Sequence, residues 1–142
     1  MGAAGDGARD GAGEREPDGR RRLLLVEDEP NIATAIAFLL GREGWRVATH
    51  SDGATALAAV ERHRPDVVVL DVMLPGRSGF EILAAIRTGP RPRLPVLMLS
   101  AKGQAKDRAR AEALGADLYM TKPFSNGALV RAIGALADGA AP

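Results

Sequence analysis

Residues Val67–Gly76 read VVVLDVMLPG. Four apolar residues run directly into one aspartate, Asp71, and the chain then breaks at Pro75-Gly76. A continuous apolar run bounded by turn residues is the pattern of a strand buried on both faces of a parallel sheet. A carboxylate at the end of such a strand is costly to bury without a partner, so its presence asks for a chemical reason.

The same alternation extends outward on both sides. RLLLVED (Arg22–Asp28) is a second apolar run flanked by charge, and LPVLMLS (Leu94–Ser100) is a third. WRVATH (Trp45–His50) and ADLYM (Ala116–Met120) read as shorter strands, and the opening stretch itself places a strand over Asp66–Leu70. Between them the apolar residues recur at helical spacing. Pro30 suits a first helical turn, with Ile32, Ile36, Leu39 and Leu40 on one face before Gly41 and Gly44. Further helices are expected over Asp52–Arg64, Gly79–Arg87, about Ala105–Leu114, and Ser125–Ala137, the last facing inward through Leu129, Val130, Ile133 and Leu136. Strands alternating with helices imply right-handed crossovers and an α/β fold, a parallel sheet covered on both faces.

The chain has 142 residues, 46% of them hydrophobic, which suits one domain with a real core. Its 19 basic and 18 acidic residues leave a formal charge of +1, with no global bias toward nucleic acid or an anionic membrane. Cysteine is absent, which excludes disulfides, thiolate metal sites and cysteine nucleophiles. No apolar run approaches a membrane span and no secretion signal opens the chain, so a cytoplasmic location is expected. Residues 1–20 are Gly, Ala and charge with no large apolar side chain after Met1, which predicts a disordered tail. The organisation expected is therefore a tail over 1–20, a folded domain over 21–138 and a short tail over 139–142.

Parallel sheets bind ligands at the carboxyl ends of their strands. Every unusual polar residue falls there: Glu27 and Asp28 after strand one, Asp71 after strand three, Ser100 at the end of strand four and Lys122 after strand five. Clustered carboxylates raise one another's pKa unless a cation sits among them, and hard oxygen donors suit Mg²⁺, or Mn²⁺, rather than zinc. With a cation in place Asp71 stays ionised and can attack phosphorus, forming an acyl phosphate, while Lys122 and Ser100 hold the phosphoryl oxygens.

The segments LLLVEDEPN, VVVLDVMLPGRSGFEIL, LMLSAKG and GADLYMTKPFS, in this order and spacing, resemble the signature segments of response-regulator receiver domains, CheY-like modules of two-component signalling, from about Arg21 to Asp138. The resemblance implies a flavodoxin-like sheet of order 2-1-3-4-5. It assigns Asp71 as phosphoacceptor, Glu27 and Asp28 as the acidic pair, Ser100 as switch hydroxyl, Tyr119 as switch aromatic and Lys122 as the family lysine. It further implies that the backbone carbonyl of Met73 joins the metal ligands and that the bond before Pro123 is cis. The partners it implies are a histidine kinase or histidine phosphotransfer protein as donor and a downstream protein at the face made by helix four, strand five and helix five. It does not imply an enzyme in the ordinary sense, since the chemistry is phosphoryl transfer to, and hydrolysis from, its own aspartate.

On that last face Gly127, Ala128 and Ala132 stand where many DNA-binding regulators carry a charged set, which speaks against dimerisation there. With neither a recognition helix nor an overall basic balance, direct DNA binding is not expected, and the chain reads as a stand-alone receiver or a piece of a longer regulator. Two other functions fit the residues less well. A haloacid-dehalogenase-like phosphohydrolase needs a second aspartate two residues after the nucleophile, where Met73 stands; a pseudo-receiver interaction module would not need the complete acid, hydroxyl and lysine set. His50 and His63 read as a loop residue and a helix-end cation, Trp45 as a cap on the core, and Arg20–Arg22 with Arg87, Arg91 and Arg93 as solvated surface.

Overall fold

The computed structural model describes residues 19–101 and 105–139; the first 18 residues of the expected tail, residues 102–104 and the last three residues lie outside it. In chain order the elements are β1 (Arg22–Val26), α1 (Pro30–Arg42), β2 (Arg46–His50), a short 3₁₀ turn (Gly53–Thr55), α2 (Ala56–His63), β3 (Val67–Asp71), α3 (Gly79–Arg87), β4 (Val96–Ser100), α4 (Ala105–Ala113), β5 (Leu118–Thr121) and α5 (Asn126–Ala137). All pairings are parallel, and the strand order is β2-β1-β3-β4-β5, the flavodoxin-like arrangement. Among the described residues no helix is long and apolar enough to cross a membrane.

The apolar runs of β1, β3 and β4 are buried on both faces, and residue parity decides which face each side chain joins. Leu24, Val26, Val68, Leu70, Val96 and Met98 pack with residues of α2, α3 and α4, such as Ala59, Leu83 and Ala111. Their alternates Leu23, Leu25, Val67, Val69, Leu97 and Leu99 pack with Ile36 and Leu40 of α1 and Leu129, Ile133 and Leu136 of α5. Trp45 joins this second cluster at 7% exposure, as expected of a core cap. Two layers of helices thus cover one sheet, and burial on that scale is the main stabilising term.

Helix starts are written locally. Glu29 caps α1 by accepting from the backbone of Asn31 and Ile32, Ser78 and Glu81 form a reciprocal capping box at α3, and Ser125 accepts from Ala128 N at α5. Most element ends differ from the sequence reading by a residue or two, as where β1 stops at Val26 rather than Asp28 and β4 starts at Val96 rather than Leu94, and three of the shifts have a visible cause or consequence. The second helix starts at Ala56 because Asp52 caps the 3₁₀ turn through Ala54 N at 2.9 Å. Strand three runs one residue further, through Asp71, whose backbone partner is Leu99 of β4. Strand five begins at Leu118 rather than Ala116, since Gly115, at φ +99°, and Ala116 instead close α4, with Ala116 N donating to Ala111 O at 2.9 Å.

Arg87 also departs from its reading as a solvated residue. Its guanidinium donates to Gly115 O at 2.9 Å, Leu94 O at 2.7 Å and Pro92 O at 3.0 Å, and pairs with Asp117 at 2.9 Å. One side chain therefore ties the end of α3 to the lead-in of β4 and the α4–β5 turn.

Candidate functional site

The carboxyl ends of β1, β3, β4 and β5 bring Glu27, Asp71, Ser100 and Lys122 to one edge of the sheet. Glu27, Asp71 and Ser100 are buried polar residues there, at 2%, 5% and 2% exposure. Lys122 Nζ lies 3.0 Å from Glu27 Oε1 and 3.6 Å from Asp71 Oδ2, so one ammonium serves two buried carboxylates. Glu27 is held further by Glu29 N, which donates to its Oε2 at 3.1 Å. Asp28 is exposed, yet one carboxylate oxygen from each of Glu27, Asp28 and Asp71 falls within 4.8 Å of the others. Beside the acids a hollow of about 530 Å³ opens between α1 and the end of β2, lined in part by Thr34, Thr49 and His50.

Three carboxylates and one ammonium leave this edge strongly negative. Burial pushes the Asp71 carboxyl up to about 6, the Glu27 carboxylate adds to the rise, and Lys122 and a backbone hydrogen bond from Met73 oppose it. A divalent cation among these oxygens would supply the missing positive charge, and an all-oxygen donor set fits Mg²⁺ or Mn²⁺. Glu27, Asp28 and Asp71 thus form an acidic cluster whose oxygens could hold such a cation.

Parity separates the remaining candidates. Glu27, Asp71 and Lys122 share the parity of the α1/α5 side, whereas Ser100 follows Met98 and Tyr119 packs within the α2–α4 cluster. On β5 the residue opposite Ser100 is Thr121, and Tyr119 is opposite Met98. The Tyr119 ring is turned inward at 7% exposure, with the Arg108 guanidinium 4.9 Å from its centroid and donating to Tyr119 O at 3.1 Å. Met73 is 63% exposed two residues beyond Asp71. The Lys122-Pro123 peptide bond is cis, as the resemblance implied.

Two features of the site escaped the sequence reading. A Cβ on Gly79 would run into the carbonyl oxygen of Asp71, so α3 can start this close to the site only on glycine; the Ser78-x-x-Glu81 signature marked the helix start but not the close approach. His50 ends β2 and bonds Thr55 Oγ1 through Nε2 at 2.7 Å, so it is not a free loop residue. His63 does end α2, as expected, but burial, then Arg62 and then His50 hold it below its ordinary pKa, which disfavours the charged form.

Comparison with known proteins follows the same line. The family model for the response regulator receiver domain matches residues 23–134. The chain is 50% identical over 104 residues to the transcriptional regulatory protein TcrA of Mycobacterium tuberculosis, covering 73% of this chain and 41% of that protein. It is 45% identical over 105 residues to the alkaline phosphatase synthesis transcriptional regulatory protein PhoP of Bacillus subtilis, covering 74% and 43%. The chain spans less than half the length of these curated relatives. Among solved structures, the chemotaxis response regulator CheY4 of Vibrio cholerae superposes with a TM-score of 0.77 at 30% identity, covering 82% of this chain and 98% of that one.

Proposed function

The chain belongs to the response-regulator receiver domains of two-component signalling, and from that premise we propose that Asp71 is its phosphoacceptor in a metal-dependent reaction with a histidine kinase or histidine phosphotransfer protein. The observation that carries this is the Lys122 ammonium, 3.0 Å from Glu27 and 3.6 Å from Asp71, at the rim of three converging acids. An Asp71 oxygen attacks phosphorus, the bond to the donor nitrogen breaks, and the imidazole leaves with its electron pair. Lys122 then exchanges part of its contact with Asp71 for a phosphoryl oxygen, and the Ser100 hydroxyl donates to another. Glu27, Asp28, Asp71 and the Met73 carbonyl would hold Mg²⁺, which when bound neutralises charge on the transferring group.

Hydrolysis of the phosphoaspartate by the same residues belongs to the proposal, as does a domain extent of 21–138. Relatives named as transcriptional regulatory proteins support an output that reaches transcription, through a downstream partner at the face of α4, β5 and α5. A phosphohydrolase of the haloacid-dehalogenase type is not favoured, since exposed Met73 offers no proton where that chemistry requires an acid. The direct test is labelling by a small phosphodonor such as acetyl phosphate on a phosphate-affinity gel. Wild-type chain should shift in Mg²⁺, and Asp71→Asn should not; undiminished labelling of that variant would overturn the assignment.

The donor must reach this edge. Next to Lys122 an apolar groove of about 770 Å³ runs between α1 and the start of α5, bordered by Ile32, Leu39, Pro123 and Phe124. Phe38 stands on its wall at 67% exposure, with Arg42 5.7 Å from its ring. A phosphodonor protein seated there would present its histidine beside Lys122.

A further inference from the structure

Among the described helices α4 buries the fewest apolar side chains. Its sequence AKDRARAEA leaves Ala111 as its buried residue, with Leu114 just beyond the helix partly buried against the same cluster. By contrast α1, α3 and α5 each bury Leu or Ile at two or more positions. Two arginines add what the helix lacks. The Arg108 guanidinium lies 4.9 Å from the centroid of the Tyr119 ring, and the Arg110 guanidinium 4.3 Å from that of Phe80. Arg108 also donates to Tyr119 O at 3.1 Å. Both rings are buried and both arginines exposed, so each guanidinium covers an aromatic face of the core from outside. The helical repeat sets the two arginines on either side of Ala111. One therefore reaches β5 and the other α3.

The two rings stand next to different parts of the site. Tyr119 is on β5, opposite Met98. Phe80 is the second residue of α3, directly after Gly79, whose N–H donates to Val72 O at 2.8 Å and whose position has no room for a Cβ beside Asp71 O. Phe80 also shares its core cluster with Val72, the residue that follows Asp71. Backbone packed this closely transmits displacement, so a shift in the chain after Asp71 moves the first turn of α3 and the Phe80 ring with it. A guanidinium over that ring follows, drawn by the negative face of the aromatic. Resting on the assignment of Asp71 as phosphoacceptor, we propose that Arg110 is a positioning residue of the switch, coupling the backbone beside Asp71 to α4 through Phe80. This route is separate from the one through Ser100 and Tyr119. A helix with so little apolar surface to break is suited to respond to it.

Amide hydrogen exchange, without Mg²⁺ or any phosphoryl mimic, tests the contact itself. Arg110→Met keeps an apolar stem and a good helix former but removes the charge. Amides of α4 should then exchange about two- to fivefold faster, the loss of one exposed cation–π contact, while those of α5 keep their rates. Arg110→Lys should recover part of the protection, because an ammonium is also attracted to the ring. In a Phe80→Leu background Arg110→Met should add little. The contact is refuted if α4 and α5 speed up alike, if Lys is as poor as Met, or if the two substitutions add. Beryllofluoride with Mg²⁺ then tests the coupling. Loop amides beside Asp71 should shift equally in wild type and Arg110→Met, and shifts in α4 should fall by about twofold or more in the variant. Undiminished α4 shifts beside responding loop amides would overturn the coupling and leave the assignment of Asp71 intact. If no amide beside Asp71 responds in either chain, the phosphoacceptor reading fails and the coupling with it, while the exchange rates still decide whether Arg110 holds α4.

Discussion

Burial and the Glu27 carboxylate push the Asp71 carboxyl up to about 6 from 3.8, and this has a consequence for stability as well as for chemistry. Below pH 3.8 the group is protonated in folded and unfolded chains alike and costs nothing. Between 3.8 and about 6 only the unfolded chain ionises, so folding stability falls as pH rises; above about 6 the full cost is present. In chelator, Asp71→Asn should therefore stabilise the fold at pH 8 by on the order of 2 kcal/mol, with the gain gone at pH 3.5. Denaturant melts of both proteins at the two pH values check this, and a gain that persists at the acid end would refute the electrostatic origin. Mg²⁺ should narrow the difference, because it stabilises only a chain that offers its ionised acids. Asp28→Ala should lose most of the rise in melting temperature that Mg²⁺ brings to the wild type.

Among the elements, α3 and its surroundings depend on two residues, Gly79 and Arg87. Gly79→Ala would press a methyl group against Asp71 O at the first turn of α3, and a loss of about 2 kcal/mol or more is expected, with reduced labelling of Asp71. Arg87 makes four polar contacts to two segments at 18% side-chain exposure, so Arg87→Ala leaves carbonyls without donors and should cost about 2–3 kcal/mol in chemical denaturation. Arg87→Lys should recover little, since one ammonium cannot reproduce the fork. On α1, Phe38→Ala separates recognition from chemistry: transfer from a cognate kinase should slow by at least about tenfold, as for loss of an interface anchor, while labelling by acetyl phosphate stays unchanged. Equal slowing of both reactions would show that Phe38 supports the fold rather than the donor.

Across the whole molecule, the proposed switch has to carry an event at Asp71 to α4, β5 and α5. Phosphorylation adds roughly 1.5 to 2 negative charges at the strand ends. Ser100 and Tyr119 lie on the side of the sheet away from Glu27, Asp71 and Lys122, so the Ser100 hydroxyl must be drawn over the strand end to meet a phosphoryl oxygen. Tyr119 is already inward here, held beneath Arg108, which is consistent with a switch whose inward form is populated before phosphorylation. Complete switching from 1:99 to 99:1 would take about 5.5 kcal/mol, and a partly populated inward form needs less. Beryllofluoride with Mg²⁺ should therefore shift amides across Ala105–Ala113 and Leu118–Ile133, and Arg108→Ala should shift the same amides without it. Changes confined to the loops at Asp28, Asp71 and Ser100 would rule this face out as the output surface.

Local signals in the chain were enough for the architecture and for the acidic edge. Apolar runs such as Val67–Leu70 can only be covered from both sides, helix starts carry their caps at Glu29, Ser78 and Ser125, and a parallel sheet sends Glu27, Asp71, Ser100 and Lys122 to one end whatever the packing details. Boundaries were less legible where hydrogen bonds from elsewhere decide them, as at Ala116, which closes α4 instead of opening β5. The clamp made by Arg87, the close approach at Gly79 and the depressed pKa of His63 came only with the tertiary structure. Each depends on a distance between residues far apart in the chain, and periodicity records which face a residue joins, not what the fold sets opposite it.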